Sequence, residues 1–117
     1  FRDILRPRIA VWVKTKAYTH EQFTLEELAT RLYTNKTYLS TFIKDEYDMN
    51  FSGWVASLRI DEAKRIMMKE PEKRLQEVAF ECGFSSLAYF SSVFSKSEGI
   101  SPSAWQREFS RKTDGEQ

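Results

Sequence analysis

The feature that most constrains this chain is a repeat of itself. Glu27-Leu28-Ala29 recurs as Glu77-Val78-Ala79 at an offset of 50. Tyr38-Leu39-Ser40 recurs as Tyr89-Phe90-Ser91, and Trp54 as Trp105, both at an offset of 51. Two copies of one supersecondary unit, the second with one extra residue between its helices, is the economical explanation.

Each copy reads as helix, tight turn, helix. In the first, Thr24 is placed to cap and Glu27 follows at the capping-box spacing. Leu25, Leu28, Ala29 and Leu32 then form a stripe with the 3.6-residue period. Asn35 caps the next helix, whose apolar positions are Leu39, Phe42 and Ile43. In the second copy Leu75, Val78, Ala79 and Cys82 make the first stripe. Gly83 supplies a left-handed turn residue, Ser85 or Ser86 caps, and Phe90, Val93 and Phe94 make the second stripe. Ala29 and Ala79 are small because a short turn forces the two helices together. Such hairpins also occur in plain helical bundles. These two stand out because both second helices keep a polar outer face with the same geometry.

Between the copies, Phe51 to Lys69 reads as one long helix with Trp54, Val55, Leu58, Ile60, Ala63, Ile66 and Met67 apolar, and Pro71 stops it. Ile4 to Lys16 reads as an amphipathic helix with Leu5, Ile9, Trp12 and Val13 inward and Pro7 near its first turn. Ser101 caps, and Pro102 opens, a last short helix through Trp105 and Phe109. No strand pattern is found. The expected fold is all-α, with about seven helices: a first helix-turn-helix subdomain (1–50), a long linking helix (51–70), a second helix-turn-helix subdomain (71–112) and a tail (113–117).

Composition narrows the class. The chain has 117 residues, 41% of them hydrophobic and 15% aromatic, enough for a packed core and too many for a disordered chain. No apolar run approaches the roughly 18 residues of a membrane span, so no membrane contact is expected from this segment. Cys82 is the one cysteine, so no internal disulfide forms, and a reducing, cytoplasmic setting follows. The net charge of +1 is unevenly spread: +4 over residues 1–16, −3 over 17–50, +2 over 51–74 and −2 over 75–117. Electrostatics alone leaves nucleic-acid binding open.

The run Glu77-Val-Ala-Phe-Glu-Cys-Gly-Phe-Ser-Ser, with Tyr89-Phe90-Ser91, Phe94 and Gly99-Ile100-Ser101-Pro102, strongly resembles the signature of the AraC/XylS family of transcription regulators. Leu58-Arg59-Ile60 followed by Ala63-Lys64-Arg65 is similar to that family's linking helix. The resemblance covers about residues 24–109. It implies a DNA-binding domain whose two reading helices enter successive major-groove segments of double-stranded DNA. It also implies RNA polymerase as a partner, activation rather than repression, and a separate sensing or dimerisation domain elsewhere in the polypeptide. On that reading this chain is a C-terminal piece, monomeric by itself, and the full-length protein dimerises through the missing domain. The chain departs from the family pattern at four places. Tyr33 stands where the first turn usually has glycine, and is expected to hold a positive φ at some cost. Asp48 replaces the glycine after the first reading helix. Thr41 and Ser92 stand where each reading helix usually carries an outward arginine.

At 100° per residue, with Leu39 set at zero, Thr37, Thr41 and Lys44 fall near about 160°, 200° and 140°, opposite the core, with Lys36 and Ser40 on one flank. With Phe90 at zero, Ala88, Ser92 and Ser95 point outward, with Ser91 and Lys96 flanking. The base-reading candidates are thus Lys36, Thr37, Ser40, Thr41, Lys44, Ser86, Leu87, Ala88, Ser91 and Ser92. Thr methyls and Ala88 suit thymine methyl groups, and Ser or Thr hydroxyls pair with several bases. No outward residue of the second helix offers the bidentate fork that reads guanine, so the first helix is expected to discriminate bases and the second to position the backbone. Phosphate candidates are Asn35, Arg59, Lys64, Arg65, Ser85, Ser95 and Lys96, with Arg59 alternatively pairing with Glu62.

Enzyme chemistry is not expected. His20 is the one histidine and Cys82 lies on an inward stripe, so no Cys-His pair or metal set assembles, and no cofactor is implied. Glu26-Glu27 and Asp61-Glu62 are carboxylate neighbours on helices, expected to point apart and face solvent. Among four glycines there is no phosphate-cradling loop. The alternative function is a helix-turn-helix protein-interaction module that does not bind DNA, favoured by the missing arginines and the modest charge.

Overall fold

The computed structural model describes residues 2–20 and 24–115, with side chains to Phe109; Phe1 and the last two residues of the expected tail lie outside the described residues. Seven α-helices and one 3-10 turn (Ala17–Thr19) account for the regular structure there, and no strand occurs among the described residues. The helices are α1 (Arg2–Thr15), α2 (Leu25–Arg31), α3 (Lys36–Tyr47), α4 (Phe51–Lys69), α5 (Leu75–Glu81), α6 (Leu87–Glu98) and α7 (Pro102–Gly115). Two compact units divide the chain, Phe1–Ala56 and Ser57–Gln117, and the boundary falls inside α4.

The two hairpins end their first helices in the same way. Tyr33 N–H donates to the Thr30 carbonyl at 3.2 Å and Thr34 N–H to the Ala29 carbonyl at 2.9 Å. In the second copy Gly83 N–H donates to Phe80 at 3.1 Å and Phe84 N–H to Ala79 at 3.0 Å. This paired bonding is the Schellman motif, which needs a left-handed residue just past the helix. Gly83 takes φ 96° there, and Tyr33 takes φ 57° as the sequence led us to expect. The crossing residues Ala29 and Ala79 are both buried.

Caps then restart the chain at equivalent points. The side chains of Thr24, Asn35 and Ser86 accept from the backbone of Glu27, Tyr38 and Tyr89 at 3.0–3.1 Å. Ser86, not Ser85, is the cap, so Ser85 is the extra residue of the second copy. The repeat continues past the hairpins. Asn50 accepts from Gly53 N–H at 2.7 Å to start α4, and Ser101 accepts from Ala104 N–H at 3.1 Å to start α7. Four residues beyond each cap a tryptophan turns inward.

In the first unit Trp54 stacks between Trp12 (5.7 Å) and Tyr47 (5.6 Å), and Phe42 meets Tyr47 edge-on. Leu5, Ile9 and Trp12 of α1 are buried at i, i+4 and i+7. Val13, expected inward, is only half-buried. Pro7 sits well inside α1 rather than in its first turn, because the helix begins at Arg2. Having no N–H, it cannot make the i→i−4 bond that another residue there would donate to the Asp3 carbonyl. The second core joins Ile60, Ala63 and Met67 to Val78, Cys82, Phe84, Phe90, Phe94 and Trp105, with Phe109 stacked on Trp105 at 4.8 Å. The last helix is longer than expected and runs on to Gly115, since neither glycine nor proline interrupts it earlier.

Candidate nucleic-acid interface

Capping and the left-handed turns fix where α3 and α6 begin, and therefore which side chains they turn outward. On α3, Leu39, Phe42 and Ile43 are buried, while Lys36, Thr37, Ser40, Thr41 and Lys44 are exposed. On α6, Phe90 and Phe94 are buried, while Leu87, Ala88, Ser92 and Lys96 are exposed. Ser85 and Ser86 are exposed in the preceding turn, whereas Ser91 and Ser95 are half-buried. The structure therefore gathers the base-reading candidates of each copy onto one face of its own helix. Asn35 and Ser86 have a side-chain oxygen committed to the cap as acceptor, which leaves the Ser86 hydroxyl proton to donate.

The basic residues are more constrained than the sequence suggested. Lys36 lies 3.8 Å from Glu26, a loose exposed pair. Lys64 Nζ contacts Glu98 at 3.1 Å and Asp61 at 3.8 Å. Burial opposes ionisation of Glu98, but hydrogen bonds from Ser97 and Lys64 hold its carboxyl below the ordinary range. Arg65 donates twice to Glu62, at 2.8 and 2.9 Å. Glu62, expected in solvent, is only 7% exposed. It turns inward because the guanidinium three residues on neutralises it with bidentate geometry. Arg59 is half-buried. Elsewhere the ion pairs are structural. Arg6 grips Glu46 with two bonds of 2.9 and 2.8 Å, which raises the arginine's pKa and lowers the glutamate's. Arg2 reaches Asp45 at 2.6 Å. Both pairs tie α1 to the C-terminal half of α3.

Cys82 is fully buried, and burial, followed by the charges of Glu62 and Glu81, pushes its thiol up to about 12. It is a packing residue with no thiolate to offer. Among the described residues no cluster of three His, Cys, Asp or Glu is placed to hold a metal ion. Among them, too, no helix is long and apolar enough to cross a membrane. Tyr38 and Tyr89, which the repeat contains but the sequence reading gave no role at the interface, stand half-exposed in the first turns of α3 and α6.

A family profile described as a helix-turn-helix domain matches residues 28–108, covering both hairpins and the helix between them. This chain belongs to the AraC-type helix-turn-helix family. It is 32% identical over 87 residues to an HTH-type transcriptional regulator of Bacillus subtilis (strain 168), YtdP, covering 74% of this chain and 11% of that protein. The chain spans half or less of the other leading curated relatives. Its structure is similar to the C-terminal domain of AraT, a response regulator from Geobacillus stearothermophilus, with a TM-score of 0.77 and 30% identity over 90% of this chain and 84% of that one. The same fold recurs in the DNA-binding domain of AdpA, a global transcriptional factor whose crystal structure contains a target DNA (TM-score 0.77, 24% identity, 91% and 93% coverage).

Proposed function

We propose that this chain is the sequence-specific DNA-binding domain of a transcription regulator, and that α3 and α6 are its reading helices. One observation carries the reading. The same Schellman-turned hairpin is built twice, and each time it presents a capped helix whose outer face is short, polar and exposed. An exposed helix face carrying hydroxyls, methyls and a lysine has the donors, acceptors and apolar groups that pair with base edges when a helix lies in the major groove. The similarity to AraT and the target DNA bound by AdpA support this assignment.

Thr37, Thr41 and Lys44 read bases in the first half-site. Ala88 and Ser92 line the second, and Lys36, Ser40, Leu87 and Ser91 flank them. Lys36, Lys96, Ser85 and Ser95 position the phosphates. Arg59, Lys64 and Arg65 brace the linking helix, since Lys64 and Arg65 already hold carboxylates. The domain acts in a reducing cytoplasm as a monomer on an asymmetric site, its two half-sites about one helical turn (roughly 34 Å) apart. Activation, contact with RNA polymerase, and dimerisation through another domain belong to the longer regulator.

Selection of bound sequences from a random duplex pool, followed by salt titration, tests the reading. The expected result is an asymmetric consensus and an affinity that falls with salt by about 0.9 in log slope per phosphate neutralised. A palindromic consensus would refute the monomeric mode. The tethering of Lys64 and Arg65 to Glu98 and Glu62 favours one second reading, a protein-interaction module. Absence of any duplex binding at low salt would establish that reading instead.

A further inference from the structure

The repeat preserves a triplet whose middle member is a core residue and whose outer members stand on the flanks of the helix. In Tyr38-Leu39-Ser40 and Tyr89-Phe90-Ser91, Leu39 and Phe90 are completely buried. Taking them as zero, the serines fall near about 100° and the tyrosines near about 260°, the two flanks of the outward face. Tyr38 is 54% exposed and Tyr89 50% exposed. The Tyr89 ring leans edge-on against the buried Phe84 at 5.8 Å. That contact accounts for a ring at this position but not for a hydroxyl, because phenylalanine would pack equally well. Each tyrosine's own amide is held by the cap, at 3.0 Å from Asn35 or Ser86. The first turn of each helix therefore fixes where its phenol projects.

A helix lying in the major groove turns its outer face to base edges and its two flanks to the backbones of opposite strands. We propose that Tyr38 and Tyr89 donate their phenol hydroxyls to phosphate oxygens, on the strand opposite the one faced by Ser40 and Ser91. The proposal rests on the DNA-binding reading above. The charges on that flank differ between the copies. Lys96 accompanies Tyr89, whereas Asp45 accompanies Tyr38 and is neutralised by Arg2 at 2.6 Å. The ion pair thus offsets a charge on the tyrosine flank of α3 that would repel a phosphate.

Tyr38→Phe and Tyr89→Phe isolate the hydroxyl, and each is first shown to be folded at the assay temperature by its melting curve. Affinity is measured on a selected duplex and on a mixed-sequence duplex across a salt series. Each variant should bind about tenfold more weakly on both duplexes, the loss expected for one hydrogen bond to a charged oxygen. The pair should lose about a hundredfold, since the sites are independent. The salt slope should stay unchanged because a neutral donor releases no counterion, whereas Lys96→Ala should lower it by about one. Wild-type affinity in the Phe variants would overturn the proposal. So would a loss confined to the selected duplex, which would make the tyrosines base readers. A wild-type chain that binds neither duplex would overturn the DNA-binding reading itself, and this proposal with it.

Discussion

The two hairpins solve one geometric problem with different residues. The second reaches its left-handed turn with Gly83 at φ 96°, and ends its reading helix with Gly99 at φ 82°. The first puts Tyr33 and Asp48 at φ 57° and 56° in the equivalent places. A residue with a Cβ pays about 1–2 kcal/mol to sit there, and α1 supplies compensation that the second copy does not need. Arg8 donates to the Leu32 carbonyl at 2.8 Å and lies over the Tyr33 ring at 5.7 Å. Asp48 is a residue type that tolerates the left-handed region. A turn can therefore be specified locally, by glycine, or from a neighbouring helix that holds a strained residue in place. The local solution is insensitive to α1; the borrowed one depends on it.

The largest expected effect tests what the copies share. Trp54→Ala and Trp105→Ala should each cost about 3–5 kcal/mol in thermal or denaturant unfolding, the range for removing a buried tryptophan. Trp54 has two stacked aromatic partners, and Trp105 has Phe94 edge-on and Phe109 stacked. If either variant keeps its stability and loses only DNA affinity, that tryptophan is part of the interface and the parallel fails.

The turns come next. Gly83→Ala should cost about 2 kcal/mol, because φ 96° disfavours any side chain and the position is buried. Tyr33→Gly should change stability by less than about 1 kcal/mol. Relief of strain is offset by a freer unfolded chain and by loss of the Arg8 contact. Arg8→Ala should cost about 1 kcal/mol in the wild-type background and less in the Tyr33→Gly background, a coupling that a double-mutant cycle reads directly. Additivity of the two changes would show that α1 does not support the turn.

The asymmetry also explains what the sequence could and could not reveal. The long helix Phe51–Lys69, the caps at Thr24, Asn35 and Ser101, and the buried faces of α3 and α6 were legible because each rests on local chemistry: a stripe period, a capping side chain, a proline stop. Glu62 was not: its pair with Arg65 is a local i,i+3 contact, but its burial near Cys82 depends on packing between elements distant in sequence. The start of α1 was misplaced because Pro7 reads as a first-turn residue whatever the true boundary. The 3-10 turn Ala17–Thr19, with Lys16 at φ 60° before it, carries neither glycine nor proline to announce it. At the candidate interface the outward faces were legible from the helical period. The engagement of Lys64 with Glu98 was not, as the two lie 34 residues apart.

Charge on the reading helices separates the copies further. Lys36→Ala should weaken binding to all sequences by about 1 kcal/mol and lower the salt slope by about 0.9. Glu26→Gln should strengthen binding slightly, since its carboxylate 3.8 Å from Lys36 competes with a phosphate for the ammonium. Loss of preference at particular base pairs in Lys36→Ala, with an unchanged slope, would place this lysine on bases instead.

The smallest effects decide how the two reading helices divide the work. Thr41 and Ser92 occupy the same outward position, near about 200° on their helices, and both are exposed. Thr41 carries a methyl as well as a hydroxyl, and Lys44 stands one turn away with reach and charge. Ser92 has only a hydroxyl, and Ser95, the counterpart of Lys44, is half-buried. Thr41→Ala should therefore relax preference in one half-site by about 1 kcal/mol, the low end for a contact to a base edge. Ser92→Ala should alter preference by less than about 0.5 kcal/mol, because a single hydroxyl can donate or accept and so discriminates poorly between bases. Ser92→Arg should raise affinity by adding a long, always-charged donor to a face that has none. Affinities over a panel of single-base variants distinguish the cases. If Ser92→Ala erases a preference that Thr41→Ala leaves intact, base discrimination lies in the second helix and the borrowed turn of the first serves only to position it.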